Sequence, residues 1–310
     1  MLIRQRSSNL EVLAPAKINF FLEVIGKRSD GFHELDMLMA PVAVFDTLVL
    51  SLTENSDIIL AARWAQGLEF RPELPEPVDN LVYHALRLFQ DVVEELHQRR
   101  PGVRVELIKR IPASAGLGGA SSDAAAALVG ANQLAGELLT FDQLLEIAAQ
   151  VGSDVPFFLY RRPARCRGRG EIVTPISVGQ SLPLVLVKPE QGLSTAAVFS
   201  RMEEFGQETA VSIDPMLAAF ELGDPSLIAA MLHNRLVEPA LAELPLLNDL
   251  SVQLRKLDMP GYQMTGSGST FFVICHHQNQ ARNLASRLRQ MMVGTVLDTY
   301  TLDQPFSWAA

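Results

Sequence analysis

A chain of 310 residues, 48% of them hydrophobic, is long enough for two domains with ordinary cores, and 26 basic against 35 acidic side chains leave a net charge of -9 that argues against a general affinity for nucleic acid. No apolar run reaches the roughly 20 residues of a membrane helix, and M-L-I-R-Q-R-S-S-N at the start lacks the apolar core of a secretory leader, so a cytoplasmic protein away from membranes is expected. Cys166 and Cys275, the only cysteines, exclude a disulfide framework and suit a reducing compartment.

In chain order, Ile18, Phe20, Leu22 and Val24 alternate with Asn19, Phe21, Glu23 and Ile25, which predicts a strand from Lys17 to Ile25 with one face buried. Gly26 to His33 carries turn chemistry in Ser29, Asp30 and Gly31, and strand-like runs at Leu38 to Val44 and Thr47 to Leu52 extend a hairpin-rich sheet. Residues 61–79, with Pro72, Pro75 and Pro77 and little periodicity, read as a surface loop. Asp79 stands as an N-cap before apolar residues at helical spacing, so a helix runs to about Arg99 and closes at Pro101-Gly102. Val103, Val105 and Leu107 form a strand leading into a glycine-rich stretch. Helices follow at Ser121 to Leu134 and, with Thr140 as cap, to Val151; Gly152 to Pro156 is a break, and Phe157 to Tyr160 reads as a short buried strand.

The basic run Arg161 to Gly170 reads as a solvated hairpin or as a contact to an anionic ligand. A strand at Glu171 to Ile176 precedes a boundary near Val178 to Leu182. Beyond it lie a strand at Leu184 to Val187, helices at Ser194 to Glu204, Asp214 to Phe220, Ser226 to Leu232 and Leu246 to Leu257, a strand at Thr270 to Cys275, a helix at Gln278 to Met291 and a last strand at Gly294 to Thr301.

Chemistry concentrates in Ile111 to Ala127. Its core, Pro112-Ala113-Ser114-Ala115-Gly116-Leu117-Gly118-Gly119-Ala120-Ser121-Ser122, joins a strand to an alanine-rich helix. Glycine allows positive φ and close approach to bare backbone, and a helix N-terminus offers free N–H groups and a positive dipole end, so the stretch reads as a phosphate cradle. It is not the G-x-x-x-x-G-K-[ST] loop, since no lysine lies between Pro112 and Ala127. It is a poor dinucleotide fingerprint, since Ser121 stands where the third glycine is needed. Ser121 and Ser122 offer hydroxyls to phosphate oxygens or Mg²⁺.

Lys17 is an isolated charge at the start of an apolar strand, and Asp154 is a carboxylate set in an apolar run; each reads as a solvated end or a turn residue, or together as the cation and proton acceptor of phosphoryl transfer. Spacing alone does not bring them together. Gly266-Ser267-Gly268-Ser269 is a second, weaker glycine turn. The six histidines form no metal signature, and His33 by itself reads as a surface turn residue.

A-P-A-K-I-N-F-F-L-E-V-I-G-K-R-S-D-G-F-H-E-L, I-P-A-S-A-G-L-G-G-A-S-S-D-A-A, G-S-D-V-P-F-F and M-T-G-S-G-S-T-F-F occur in that order and resemble the motifs of the GHMP kinases, from about Val12 to Val273. The resemblance implies an α+β fold. A domain like the second domain of ribosomal protein S5 would span residues 1–180, a ferredoxin-like domain residues 181–310, with the active site in the cleft between. It implies ATP and Mg²⁺ as cofactors and, on the D-G-F-H-E-L stretch, a small-molecule substrate with a cytidine diphosphate group, phosphorylated on the 2-hydroxyl of its methylerythritol; a kinase of homoserine or mevalonate type, or a non-catalytic nucleotide-binding relative, are the alternatives. By the same resemblance Lys17 and Asp154 are the catalytic pair. Pro112 to Ser122 hold the ATP phosphates, with Ser122 toward magnesium, and Asn80 and Lys109 lie near adenine and ribose. Phe32 and Phe199 sandwich the cytosine, His33 reads its polar edge, and Asn19 and Thr195 add contacts. Departures are Phe32 for tyrosine, Ala120 for glycine with a tighter phosphate pocket expected, Arg235 for an acidic residue, and the wealth of arginine at Arg161 to Arg169.

Overall fold

The computed structural model describes residues 1–6, 9–68, 71–206 and 209–303; Ser7 and Ser8 of the leading stretch and residues 69–70 of the expected loop lie outside them. The architecture is α+β, with two sheets. The larger has eight strands: β1 (Leu2–Arg6), β2 (Asn9–Lys27), β3 (His33–Thr53), β4 (Ile58–Trp64), β5 (Gly102–Lys109), β6 (Ala164–Gly168), β7 (Ile172–Pro175) and β9 (His233–Asn234). Its main path runs β1-β2-β3-β5-β4, β6 joins β3 beside β7, and β9 joins β2 in parallel. The smaller sheet is β10-β11-β8-β12, from Gly261–Met264, Phe271–Ile274, Pro183–Lys188 and Thr295–Tyr300, antiparallel throughout.

The β2–β3 hairpin is longer than the expected strands and carries register shifts at Pro15/Ala16, Asn19/Phe21 and Val24/Gly26. Such bulges interrupt the two-residue alternation and bend the strand. Residues 14–23 are all buried, correcting the expectation of one buried face, because the strand lies between two cores: Ala14 and Leu22 belong to one, Ala16, Ile18 and Phe20 to the other. Phe20 packs edge-on against Phe220 of the helix at residues 214–222, with ring centroids 4.7 Å apart, and against Phe272 of the smaller sheet at 5.2 Å.

Helix α1 (Leu81–His97) buries Val82, Ala85, Leu86, Phe89 and Val93 in the core it shares with the large sheet and the two following helices. Its cap is Asn80, whose Oδ1 accepts from the Val82 N–H at 3.0 Å; Asp79, the expected cap, ends a short 3₁₀ turn instead. Helix α2 (Gly119–Leu134) is the central helix, buried along most of its length because Ala124, Ala125, Ala126, Ala127 and Ala131 let it lie close to the sheet and α1. Helix α3 (Phe141–Val151) starts with a reciprocal capping box between Thr140 and Gln143.

Phe157 to Tyr160 is not a strand. It belongs to α4 (Val155–Tyr160), with Pro156 in the first turn, where a missing N–H costs nothing. A short apolar run has no period to separate strand from buried helix. Within the expected loop, residues 61–64 finish β4, parallel to β5. Helices α5 (Thr195–Met202), α6 (Asp214–Leu222), α7 (Pro225–Ala230), α8 (Val237–Glu243), α9 (Leu246–Arg255) and α10 (Gln278–Gln290) complete the chain.

Candidate active site

A cavity of about 1060 Å³ opens between the large sheet, the glycine stretch and α5. Lys17 enters from β2, 4% exposed, its backbone N–H donating to the Leu117 carbonyl at 2.9 Å and thereby tying the strand to the glycine loop. Its Nζ donates to Asn19 Oδ1 at 2.7 Å and lies 3.6 Å from Asp154 Oδ2. Asn19 is held in turn: its N–H donates to Thr265 Oγ1 at 3.0 Å. Asp154 occupies the position before α4 without any side-chain capping bond and is 29% exposed. Sequence spacing left this pair apart, and the fold joins them.

The glycine loop covers Lys17. Gly118, with φ of 68°, is the residue before α2, and a β-carbon there would lie 3.0 Å from Lys17 Cγ and Phe158 Cζ. Gly116, with φ of 70°, crosses the C-terminal glycine turn so closely that a β-carbon would meet the Thr265 carbonyl oxygen at 2.3 Å. Pro112 through Ser121 line the cavity, and the first N–H groups of α2, which have no intrahelical acceptor, open the helix at its wall. Ser122 does not line the cavity: it is fully buried and its Oγ has no hydrogen-bond partner, so the wall hydroxyl is that of Ser121. Ala120 lies in helical backbone on an exposed position, where the restriction expected from losing glycine does not arise. Among the described residues no group of three or more His, Cys, Asp or Glu side chains could hold a metal ion. A magnesium ion that arrives on nucleotide phosphates needs as little as one protein oxygen, which the cavity wall offers in the Ser121 hydroxyl.

Asn80 and Lys109 also line the cavity. Lys109, 8% exposed, forms ion pairs with Asp46 and with Asp123, the latter at 2.5 Å. Burial works against its charge, yet the two carboxylates outweigh burial and hold its pKa above the usual lysine range. Burial drives the Asp123 carboxyl well above the usual range, against the pull of Lys109 and with a further push from Asp46. Asp46 also accepts from the Arg110 and Ile111 N–H groups, the second at 2.9 Å. The cluster therefore clamps the end of β5, the start of α2 and β3 beneath the loop.

At the other end of the cavity, Arg28 bonds both Asp30 and Glu34, and Asp30 Oδ1 accepts from the Phe32 N–H at 3.1 Å. This braced turn presents Phe32, 49% exposed, and His33. Phe199 on α5 stacks on His33, ring centroids 4.9 Å apart and 23° from parallel, rather than facing Phe32. Thr195 Oγ1 is 2.9 Å from Ser267 Oγ, so the C-terminal glycine turn, weak as a sequence signal, becomes part of the wall. Arg169 from the basic run lines the same wall, as do Trp64 and Glu73 to Pro75 from the proline-rich stretch. No local signal pointed to these last residues.

Arg235 has a structural reason. Its guanidinium grips Glu23, fully buried on β2, through Nε at 2.7 Å and Nη2 at 2.8 Å, and His233 Nε2 lies 3.0 Å from the same carboxylate.

Comparison with known proteins agrees with this geometry. The family described as GHMP kinases N terminal domain matches residues 80–162, and that described as GHMP kinases C terminal matches residues 216–294. The chain is 37% identical over 278 residues to the 4-diphosphocytidyl-2-C-methyl-D-erythritol kinase of Shouchella clausii, covering 90% of each protein. It is 36% identical over 280 residues to the same-named protein of Geobacillus kaustophilus, covering 90% of this chain and 93% of that one. A crystal structure of 4-(cytidine 5'-diphospho)-2C-methyl-D-erythritol kinase superposes with a TM-score of 0.74 at 32% identity, covering 95% of this chain and all of the other. Homoserine kinase from Cytophaga hutchinsonii shares the fold, with a TM-score of 0.74 at 21% identity over 97% and 98% of the two chains. On the domain matches and the extent of these identities, the chain belongs to the GHMP kinases.

Proposed function

We propose that this chain is an ATP-dependent kinase that phosphorylates the 2-hydroxyl of 4-diphosphocytidyl-2-C-methyl-D-erythritol. The observation that carries the reading is one cavity with a lysine–carboxylate pair at 3.6 Å, a glycine-loop helix N-terminus beside it and an aromatic end formed by Phe32, His33 and Phe199. The names of the relatives support the same substrate.

In this reading Asp154 accepts the proton of the substrate hydroxyl as its oxygen bonds to the γ-phosphorus of ATP, and the bond from that phosphorus to the bridging oxygen breaks to leave ADP. Lys17, oriented by Asn19, steadies Asp154 and the developing alkoxide. The loop from Pro112 to Ser121 receives the phosphates, while Asn80 lies toward the nucleoside. Lys109 serves that end by holding the loop through Asp46 and Asp123. Magnesium bound with ATP would neutralise phosphate charge, with the Ser121 hydroxyl as its protein oxygen. Phe32 and Phe199 offer stacking faces to the cytosine, His33 a hydrogen-bonding edge, and Thr195 and Asn19 further contacts.

The same proposal divides the chain near residue 180, between β7 and β8, and places it in the cytoplasm. Among the described residues no helix is long and apolar enough to cross a membrane, and both cysteines are free and buried. A small aliphatic alcohol gives the aromatic end nothing to stack on, which weighs against a homoserine or mevalonate substrate. Lys17 and Asp154 together weigh against a relative without turnover. Purified protein with Mg-ATP should release ADP when given the cytidine diphosphate substrate and not with homoserine or mevalonate; turnover of either of those alone would sink the assignment.

A further inference from the structure

The basic run from Arg161 to Arg169 has one member on the cavity wall whose position the reaction leaves unused. Arg169 sits in the turn between β6 and β7, its side chain 29% exposed. Its guanidinium carbon lies 4.8 Å from the centroid of the Phe32 ring. The next residue, Gly170, packs against the opposite end of the site: a β-carbon there would be 3.1 Å from the Ser153 carbonyl oxygen and 3.4 Å from Asp154 Oδ1. The turn thus bridges the aromatic end of the cavity and the proposed proton acceptor.

A substrate that stacks its base near Phe32 and brings its alcohol to Asp154 must lay whatever joins the two along this turn. In the proposed substrate that joint is a diphosphate. The cations on the cavity wall are Lys17, Lys27, Lys109 and Arg169. Lys17 is engaged at the alcohol end by Asn19 and Asp154, and Lys109 is held between two buried carboxylates. Against Arg169 stand Glu171, whose nearer oxygen is 3.9 Å from Nε, and Asp30, itself bonded by Arg28. Glu171 spends its other oxygen on the Arg169 N–H at 2.6 Å, which fixes the turn, and the guanidinium lies on the cavity wall over the Phe32 ring.

We infer that Arg169 is a substrate-binding residue that receives the diphosphate of the acceptor substrate. This rests on the cytidine diphosphate reading given above. Arginine suits the task because its planar fork matches phosphate oxygens and stacks on an aromatic face. It also supplies the local compensation that a chain of net charge -9 needs to admit an anionic substrate beside ATP.

The test compares CDP with cytidine as ligands of the wild type, Arg169→Met, Arg169→Lys and Lys27→Met, with the ATP site filled by a non-hydrolysable ATP analogue. Arg169→Met should weaken CDP by about ten- to a hundredfold while leaving cytidine and ATP-analogue binding unchanged, and Arg169→Lys should restore part of the CDP affinity. In turnover, Arg169→Met should raise KM for the cytidine diphosphate substrate more than it lowers kcat. Equal loss of CDP and cytidine would mean that Arg169 only supports the Phe32 ring, and would overturn the inference. CDP binding unchanged in Arg169→Met, or lost in Lys27→Met alone, would overturn it while leaving the substrate reading intact. A wild type that binds neither ligand would overturn both.

Discussion

Asp154 stands at the head of α4 yet makes no capping hydrogen bond, so its carboxylate remains available 3.6 Å from a nearly buried ammonium group. Asp154→Asn keeps the shape and removes the proposed proton acceptor. It should lower kcat by roughly two to four orders of magnitude, with little change in ATP affinity or in the thermal midpoint, as read by ADP release and by melting. Near-normal turnover would mean that another group takes the proton. Both charges were visible in the sequence because each interrupts an apolar run, but nothing local tied residue 17 to residue 154. Lys109 is the opposite case. The family resemblance put it near adenine and ribose, whereas its partners Asp46 and Asp123 come from β3 and α2, and only the fold shows the ammonium committed to them.

The glycine loop and α2 act as one element, since the loop's left-handed residues set where the helix begins and its carbonyl at Leu117 pins the Lys17 strand. Gly118→Ala adds a β-carbon to a residue with φ of 68°, directly against Lys17 Cγ. Left-handed backbone costs a non-glycine residue about 1 kcal/mol, and the larger effect should come from displacing the lysine. We expect kcat/KM for ATP to fall at least about tenfold while the thermal midpoint drops by only a few degrees. Loss of stability without loss of rate would assign the glycine to folding alone. Elements with caps and a clear period, such as α1, α3 and α10, were legible within a few residues. The short apolar run of α4 was not, because four residues fit a strand as well as a helix turn. Neither β9 nor α8 had a distinct local signal; β9 is two residues long and exists because β2 offers it a partner.

At the scale of the whole molecule, the two sheets share a core around Ile18, Phe20, Leu184, Phe220 and Phe272, and β9 returns from the C-terminal half to pair with β2. The polar fastening of that return is Glu23 with Arg235 and His233. Burial raises the Glu23 pKa, but the Arg235 hydrogen bonds, the Val211 and Val24 N–H groups and the nearby His233 outweigh burial and hold it below the ordinary value of 4.5. A carboxyl lowered in the folded state contributes stability above its unfolded pKa and loses it as the pH falls through the lowered folded value. Glu23→Gln should therefore cost about 2 kcal/mol at neutral pH, and its deficit relative to wild type should shrink below a pH of about 4, measured by urea unfolding across that range. A deficit independent of pH would show that packing rather than charge joins the halves.

The sequence by itself determined the glycine stretch as a candidate phosphate cradle, the two isolated charges and most capped helices, because each rests on composition, backbone chemistry or periodicity within a short window, while the ordered motifs carried the resemblance to the GHMP kinases. Tertiary structure alone decided that Lys17 meets Asp154, that Lys109 is clamped rather than open, that Arg235 answers Glu23 and that Arg169 reaches the cavity. Those outcomes depend on contacts between residues far apart in the chain, for which no local pattern carries a signal.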